Sequence, residues 1–511
     1  MTLCTLIERN AQFSPNKAAI HFEGQTLSYA AFNRRIEHVA RALRSQLGVE
    51  KGDRIAILSL NRPDYLALLY ACARLGAILV PLNSRLAVAE QLFILSNATP
   101  KVLVLERAFK QLLPTLREQL PNTFVVGLNF SPLGGSKWDG LLERGRGDGR
   151  DPNADLSSPL LIVYTSGTTG RPKGAVLRQE ALLWNGVMSQ HMHDLTSADH
   201  ILTVLPLFHV GGLNIQTTPA LHHGATVSIH ARFTPEDVLA ALDRDRPTLA
   251  LLVPTMIRAL TECYAWSTTD LSSLKAISTG SAMVPSDLIR RLVDRGVTVL
   301  QVYGATETCP IAIYMRLGGD LSREGSTGLP GLCCEAAIID ESGNKLPRGL
   351  PGEIAVRGPN IFSEYWGNDQ ATREALCDGW YCTGDIGRRD TDGYFWVHDR
   401  KKNMIISGGE NIYPAEVERV LAQHPDVAEC AVVGRAHSRW GEVPVAYVIA
   451  RPGARNDADL LTAHVQSQLA RFKTPREIIF TQELPRTALG KIQHFMLKEF
   501  DACSARDGSR N

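Results

Sequence analysis

Residues 160–175 read LLIVYTSGTTGRPKGA, and this stretch sets the expectation for the fold of the whole chain. Its first five letters form an apolar run that ends in an aromatic residue, which is typical of a short buried strand. The letters that follow are small, hydroxylated, cationic or turn-forming. A buried strand that leads directly into such a segment predicts an α/β sheet with a glycine-rich loop at the end of one strand.

The composition of this loop favours phosphate binding. Its glycines allow positive φ and a close backbone approach, so that successive N–H groups can form a concave nest for an anion. The hydroxyl groups and one ammonium add further donors. The residues concerned are Thr165, Ser166, Gly167, Thr168, Thr169, Gly170, Lys173 and Gly174. Taken alone, the run is equally typical of a flexible surface turn.

The loop does not match the phosphate-binding loop of kinases and GTPases. That motif requires glycine, four residues, and then Gly-Lys followed by Ser or Thr. In this chain Pro172 and Ala175 occupy positions where the second glycine would fall. A kinase or GTPase of that class is therefore disfavoured, and the meaning of the loop depends on the rest of the chain.

The overall composition indicates a multidomain globular protein. With 511 residues, 44% of them hydrophobic and 21% charged, the chain can bury large cores. A prior of one domain per roughly 150 residues predicts two to four domains. Lys and Arg number 54 against 53 Asp and Glu, so the charge gives no case for nucleic acid as a partner.

The N-terminus, the apolar runs and the cysteines together predict a cytoplasmic protein without an integral membrane segment. Residues 1–12 include Glu8 and Arg9 and lack the apolar core of a signal peptide. The longest apolar stretch, residues 66–82, is interrupted by Arg74. The ten cysteines are scattered without a Cys-x-x-Cys pair, which predicts reduced thiols. Weak membrane association stays open.

Short apolar runs alternate with amphipathic helical patterns as far as residue 302, which predicts βαβ units and mainly parallel sheets. The runs fall into two series, and these predict two related α/β subdomains. Residues 131–159, rich in Gly, Pro, Arg and Asp, are expected to form an exposed connection. The predicted strands are 18–22, 54–58, 78–80, 102–105, 201–205, 225–229, 249–253, 274–277 and 297–302.

The chain changes character after Gly325. Hairpin signals over residues 336–357 and 393–397 predict a small β-barrel region. The charged run 399–403 is a plausible hinge, followed by a new α+β segment. The predicted domains are 1–399, a mobile C-terminal domain 400–502, and a disordered tail 503–511.

Four further polar segments accompany the loop, namely residues 302–308, 381–385, 402–409 and 485–491. Together the five segments resemble the ordered motif set of the adenylate-forming superfamily. That family comprises acyl- and aryl-CoA synthetases, luciferases and the adenylation domains of peptide synthetases. The resemblance covers roughly residues 6–498, and an ordered set is far more specific than any single motif.

The resemblance implies a reaction with ATP, Mg²⁺ and coenzyme A. A carboxylic acid would be activated to an acyl-adenylate with release of pyrophosphate, and its acyl group would then pass to coenzyme A. Because the first step concentrates negative charge on the α-phosphate, cations and donors must surround that group.

The resemblance also implies roles for individual residues. The loop would hold the β and γ phosphates, and Glu307 with Thr165 would bind Mg²⁺. Asp385 would bind the ribose, Arg400 the ribose or a phosphate, and Lys491 would be the catalytic lysine. The adenine surface would be formed by Gly280, Ser281, Ala282, Tyr303, Gly304, Ala305 and Thr306.

For the second step, the family swings its small domain about a hinge, here near Lys402. Lys491 would leave the site, and Ser407, Gly408 and Gly409 would enter it. Trp440 and Lys473 occupy positions that look like family contacts to coenzyme A. Ile406 stands where some members carry lysine, so a cationic role at that position does not transfer.

The acyl pocket is expected along residues 205–214, with His209 near the pocket and the thiol tunnel. Met256, Gly304, Ala305 and the segment 309–311 would complete its wall. These segments offer no Lys or Arg for a second carboxylate, which predicts a neutral-tailed monocarboxylic acid, fatty or aryl. Two alternative functions stay open, namely a ligase that loads a carrier protein and a non-catalytic nucleotide sensor. A homodimer is an open possibility for the oligomeric state.

Overall fold

The computed structural model describes residues 1–165, 172–280, 284–323, 325–407, 410–437, 439–487 and 490–507, with side chains up to residue 501. The chain forms two compact units. The first comprises Met1–Ala336 and Val356–Tyr381, and the second Ala337–Ala355 and Cys382–Asn511. The predicted α/β class with a large N-terminal and a small C-terminal domain is confirmed. The boundary between residues 399 and 400 stays a prediction.

The first unit contains a nine-stranded sheet whose central strands are parallel. Most of the second predicted series of apolar runs lies here, joined by the strand Ala18–Phe22 and its hairpin partner. In spatial order the strands are Leu329–Pro330, Ile313–Tyr314, Val299–Tyr303, Ala276–Gly280, Leu249–Leu251, His200–Thr203, Thr226–Ile229, Ala18–Phe22 and Gln25–Ser28.

An eight-stranded sheet contains the strand that precedes the glycine-rich loop. That strand pairs with Ile78–Pro81 in parallel and with Lys173–Arg178 in antiparallel fashion, so the loop closes a hairpin. In spatial order the strands are Glu364–Tyr365, Lys173–Arg178, Pro159–Thr165, Ile78–Pro81, Arg54–Leu58, Val102–Glu106, Phe124–Leu128 and Ser136–Lys137. The two predicted series of strands lie mainly in two separate sheets, except that the strand Ala18–Phe22 of the first series belongs to the sheet of the second.

The helices of the first unit begin and end at residues that suit helix termini. The helix Tyr29–Leu47 is capped by the Ser28 hydroxyl, which accepts from the Ala31 N–H, and it ends at Gly48 with φ 59°. The others are Cys4–Phe13, Pro63–Leu75, Val88–Ala98, Leu113–Gln119, Trp138–Arg144, Gln179–His193, Val210–Gly212, Thr218–His222, Pro235–Asp245, Pro254–Glu262, Ser286–Val293 and Asp369–Ala375.

Two five-stranded sheets follow. One occupies the region predicted as a small barrel and consists of Glu335–Ile339, Pro351–Arg357, Leu376–Cys377, Trp380–Arg389 and Phe395–Arg400. The other belongs to the second unit and consists of Ile405–Ser407, Glu410–Ile412, Val427–His437, Gly441–Ala450 and Glu477–Phe480. Its helices are Pro414–Leu421, Ala458–Gln466 and His494–Asp507, the last of which extends into the segment predicted as a tail.

The expectation of an exposed connection over residues 131–159 is wrong in part. The segment contains the strand Ser136–Lys137 and the helix Trp138–Arg144, with Trp138 only 2% exposed. The Trp138 indole N–H donates to the Asp64 carboxylate at 2.9 Å. The sequence did not predict this helix, because its composition is polar and its buried face consists of only Trp138 and Leu141.

Among the helices in the described part of the chain, none combines the length and the apolar character needed to cross a membrane. The cysteines whose side chains are described are free thiols, as the scattered spacing predicted.

The buried Asp64 yields a prediction about stability. It accepts from Arg35 Nε at 2.9 Å and Arg62 Nε at 2.8 Å. Burial opposes its ionisation, but the two guanidinium groups outweigh this and hold the pKa of Asp64 below its ordinary value of 3.8. Asp64→Asn removes the carboxylate that both guanidinium groups share and leaves Glu106, 3.5 Å from Arg62, as a partner of Arg62, so we expect a loss of about 3 kcal/mol in the free energy of unfolding at neutral pH.

Thermal unfolding at several pH values checks this expectation. A depressed carboxyl pKa contributes stability above pH 3.8 that is lost as the pH falls through the folded-state value, so the two proteins should converge in acid. The control is Asp139→Asn, because Asp139 lies beside Trp138 in an ion pair whose side chains are 50% and 60% exposed. Equal effects of the two substitutions would contradict the prediction.

Candidate functional site

In the first unit, two neighbouring parallel strands end where the sequence predicts the adenine surface. Gly280 pairs with Val302 at these ends. A β-carbon on Gly280 would lie 2.2 Å from the Val302 carbonyl oxygen, and one on Gly304 would lie 1.7 Å from the Pro310 oxygen. Both positions therefore require glycine. Tyr303 ends its strand, and the short helix Thr306–Thr308 follows directly.

The Glu307 carboxylate is held by a tyrosine that the sequence analysis missed. Glu307 is 6% exposed, and its Oε1 accepts from the Tyr365 hydroxyl at 2.7 Å. Its backbone oxygen accepts from the Phe362 N–H at 2.8 Å. Tyr365 and Glu307 are 58 positions apart, so no local pattern could have connected them.

Tyr365 also contacts the strand that leaves the glycine-rich loop. It pairs with Ala175 there, and the Lys173 ammonium lies 5.3 Å from the centre of the Tyr365 ring. Thr165 pairs with Lys173 across the hairpin, and its hydroxyl lies 3.5 Å from the Lys173 carbonyl oxygen. The structure thus brings Thr165, Lys173 and Glu307 together around Tyr365. The predicted residues Ser166, Gly167, Thr168, Thr169 and Gly170 lie outside the described residues, as do Ser281 and Ala282.

Two fully buried asparagines fix the segment 305–311, and sequence reasoning found neither. Asn360 donates to the carbonyl oxygens of Thr308 and Ile311 at 2.7 and 2.9 Å. Asn185 accepts from the Ile311 N–H at 3.1 Å and donates to the Asn214 oxygen at 2.6 Å. A buried amide that satisfies backbone groups on both sides gives this loop one conformation. Ala305 is connected to this segment because its N–H donates to the Thr308 hydroxyl at 2.9 Å.

The predicted acyl segment lies on the same unit. The Asn214 amide contacts the Cys309 sulfur at 3.6 Å, which joins the two stretches expected to line the pocket. Burial, aided by the charge of Arg85, lowers the pKa of His209 to about 4. With this lowered pKa the His209 ring is a neutral imidazole at physiological pH, which can donate a hydrogen bond from one ring nitrogen and accept one at the other.

In the second unit, Asp385 and Arg400 form a close ion pair. They face each other across antiparallel strands, and Arg400 Nε lies 2.6 Å from Asp385 Oδ1. Burial and Arg400 lower the pKa of Lys402, while Asp385 opposes the shift. Burial and Arg400 also lower the pKa of Lys491, whereas Asp385 and Asp399 act to raise it. Four predicted residues therefore share one electrostatic environment.

The Lys491 hairpin, defined as residues 485–487 and 490–493, carries the predicted catalytic lysine. Thr487 donates from its N–H to the Lys491 oxygen at 2.7 Å, and the Lys491 N–H donates to the Thr487 hydroxyl at 3.2 Å. Arg486 donates to the Gly490 oxygen at 2.8 Å and pairs with Glu429. These bonds hold the backbone of Lys491 against that of Thr487.

The residues expected to contact coenzyme A lie in two different parts of the second unit. Ser407 pairs with Gly441, so it lies beside the segment that carries Trp440, and the Arg439 guanidinium lies 4.8 Å from the Trp440 ring centre. Lys473 instead donates to both Glu416 oxygens at 2.8 and 2.7 Å. Gly408 and Gly409 lie outside the described residues.

Comparison with known proteins bears on the family. The family model of AMP-binding enzymes matches residues 7–366, and that of the AMP-binding enzyme C-terminal domain matches residues 416–491. The chain is 47% identical to an indoleacetate–CoA ligase of Aromatoleum aromaticum over 96% of this chain and 97% of that protein. It is 41% identical to a feruloyl-CoA synthase of Amycolatopsis sp. over 95% of this chain and 96% of that protein.

Solved structures give the same result. An anthranilate CoA ligase in complex with anthranoyl-AMP superposes with a TM-score of 0.91 at 28% identity, over 99% of this chain and 98% of that chain. ATP-bound MatB from Rhodopseudomonas palustris superposes with a TM-score of 0.90 at 30% identity, over 98% and 99% of the two chains. The family inferred from the ordered segments is thereby confirmed. The chain belongs to the AMP-binding enzyme family, in the class of the AMP-forming acyl-CoA ligases.

Proposed function

We propose that this enzyme activates an aryl carboxylic acid with ATP and transfers the acyl group to coenzyme A. The observation that carries the choice of acid is the 47% identity to an indoleacetate–CoA ligase across nearly the full length of both chains. A feruloyl-CoA synthase at 41% identity points the same way, whereas a long-chain-fatty-acid–CoA ligase reaches 32%. Of the two kinds of acid that the sequence predicted, fatty and aryl, we therefore propose the aryl acid.

The chemistry of the acyl segments supports a flat, neutral acid tail. Leu205, Leu207, Phe208 and Leu213 are buried and apolar. His209 adds an uncharged ring beside them, because burial and Arg85 depress its pKa. An apolar wall with one neutral polar ring suits an aromatic group better than a second carboxylate, which would require a placed cation.

Glu307 is the residue that we propose as the Mg²⁺ ligand. Its Oε1 accepts from Tyr365, whereas its Oε2 has no hydrogen-bond partner among the described residues. Mg²⁺ is commonly held by one or two carboxylates together with phosphate oxygens and water, so a single oriented oxygen fits this ion. When bound, the ion would neutralise charge on the nucleotide phosphates. Thr165 and Lys173 would contribute a hydroxyl and an ammonium to the same phosphates.

The second unit supplies the charges for adenylation in this proposal. Asp385 accepts from Arg400 and would receive the ribose hydroxyls, and Lys491 would stabilise the charge that develops on the α-phosphate. Burial lowers the pKa of Lys491, but the carboxylates of Asp385 and Asp399 favour its charged form. We further propose that residues 400–502 move about a hinge near Lys402 for the thioester step.

An acid panel tests the substrate class. Pyrophosphate release would be measured with indole-3-acetate, ferulate, octanoate, malonate and phenylalanine at fixed ATP and coenzyme A. We expect kcat/KM for the better aryl acid to exceed that for octanoate about tenfold or more. The reason is that the aryl group and the octanoate chain would bury different amounts of apolar surface in the acyl pocket. Preference for malonate or phenylalanine would contradict the proposal. Thioester formation with free coenzyme A, compared with a carrier protein, identifies the acceptor.

Lys491→Ala should separate the two half-reactions. We expect adenylation to slow about 10²–10³-fold, since a charge-stabilising donor is lost. Thioester formation from a supplied acyl-adenylate should survive. Lys498→Ala is the matched control, because Lys498 lies on the next helix in a partly exposed ion pair with Glu442 at 3.6 Å. Equal loss of both half-reactions would argue against a lysine that serves adenylation alone.

Tyr365→Phe should weaken the response to Mg²⁺. The substitution removes the hydrogen bond that orients Glu307, and loss of such a partner costs about 10–100-fold in metal affinity or activity. Titration of adenylation with Mg²⁺ measures the shift in half-saturation. Tyr164→Phe serves as control, because the Tyr164 hydroxyl donates to the Asn97 side chain on the helix Val88–Ala98 at 2.5 Å. An unchanged Mg²⁺ response in Tyr365→Phe would exclude this role.

A further inference from the structure

A histidine at the base of the Lys491 hairpin anchors it to a neighbouring helix. The Gln493 N–H donates to the Pro485 oxygen at 2.8 Å and closes the hairpin, and His494 follows as the first residue of the helix His494–Asp507. His494 Nε2 lies 2.7 Å from Glu418 Oε1, with the two side chains 15% and 19% exposed. The imidazole thus ties the end of the hairpin to the helix Pro414–Leu421.

Glu418 is itself fixed at this position. Its Oε1 also accepts from the Val432 N–H at 2.7 Å, and its backbone oxygen lies 3.3 Å from the Cys430 sulfur. The carboxylate is therefore part of the sheet and helix scaffold rather than a free surface group. A charge-assisted bond to such a fixed partner limits where the hairpin can lie.

A second carboxylate connects the same group to the predicted hinge. Asp399 accepts from the Ala415 N–H at 2.8 Å and from the Asn403 amide at 3.0 Å, so it caps the helix that carries Glu418. It lies next to Arg400 in the charged run 399–403. Two partly buried carboxylates that act on one imidazole favour the protonated ring.

We propose that His494, as an imidazolium bound to Glu418, is a positioning residue that holds the hairpin of Lys491 for adenylation. The proposal rests on the proposed function, since it assigns Lys491 to that half-reaction. His494 does not touch the reacting atoms in this account. It acts through the backbone that runs from Gln493 to Lys491.

The charges around His494 give this role a pH dependence. The charged groups that act on the His494 ring are Glu418 on the helix Pro414–Leu421, Asp399 on the strand Phe395–Arg400, and Lys491 on the hairpin. Burial and Lys491 oppose protonation, but Glu418 and Asp399 outweigh them and raise the pKa of His494 above its ordinary value of 6.5. A raised pKa means that the ion pair is complete at lower pH and is lost as the pH rises through the raised value.

The experiment compares wild type with His494→Gln, His494→Arg and His464→Gln. Glutamine can keep a neutral donor toward Glu418, whereas arginine keeps the positive charge at every pH of interest. His464 is the matched control, because its Nε2 lies 3.0 Å from the Val420 oxygen of the same helix. Adenylation and thioester formation from supplied acyl-adenylate are measured separately from about pH 6 to about pH 10, together with thermal unfolding.

We expect His494→Gln to lower kcat of adenylation about tenfold, with KM for ATP and thioester formation nearly unchanged, because a displaced lysine slows chemistry more than binding. His494→Arg should restore adenylation and move its alkaline limb to higher pH, where Lys491 titrates. Should His494→Gln fail to fold, the pH profile of His494→Arg carries the test.

Equal losses in both half-reactions of His494→Gln, matched by His464→Gln, would overturn the proposal and assign His494 to stability alone. An alkaline limb in His494→Arg identical to that of wild type would overturn it as well. Failure of the proposed function would look different, since the wild-type enzyme itself would release no pyrophosphate with any acid of the panel.

Discussion

The pairing of unlike charges around the buried Asp385 carboxylate is the constraint on which the candidate residues of the second unit depend. Lys402 and Lys491 both lose solvation, and Arg400 adds a repulsive charge, so the pKa of each ammonium is lowered. Asp385 counters this, held by Arg400 Nε at 2.6 Å. With the two carboxylates of Asp385 and Asp399 among three cations, the group retains a net positive charge, which would suit the proposed stabilisation of a phosphate that gains negative charge.

Much of the first unit could be predicted because its signals are local. A buried strand followed by polar, glycine-rich residues places those residues at a sheet edge whatever lies elsewhere, and this logic located Thr165 and Tyr303 at strand ends. The strand that begins at Lys173 was not predicted. The glycines at 280 and 304 are explained by backbone atoms that lie within 2.2 Å of an added β-carbon. The family follows from the order of these segments, and the comparisons confirm it.

The residues that support the site could not be predicted, because their partners are distant in sequence. Tyr365 meets Glu307 across 58 positions, and Asn185 meets Ile311 across 126. Neither has a local pattern, since a tyrosine in a strand and an asparagine in a helix are ordinary. The same reason explains the missed helix at Trp138, whose indole finds Asp64 74 positions away. Such contacts arise only when sheet order and helix packing are known.

In the second unit, the partly buried carboxylate of Asp399 connects the proposed hinge to the proposed catalytic lysine. Asp399 caps the helix Pro414–Leu421 through Ala415 and holds Asn403 within the charged run, so a backbone change there alters its hydrogen bonds. The same carboxylate acts electrostatically on His494 and Lys491. A rotation about the run 399–403 would therefore change the charge felt by Lys491 as well as its position. Under the proposed mechanism, movement of the hinge and the charge state of the lysine would both depend on the interactions of Asp399.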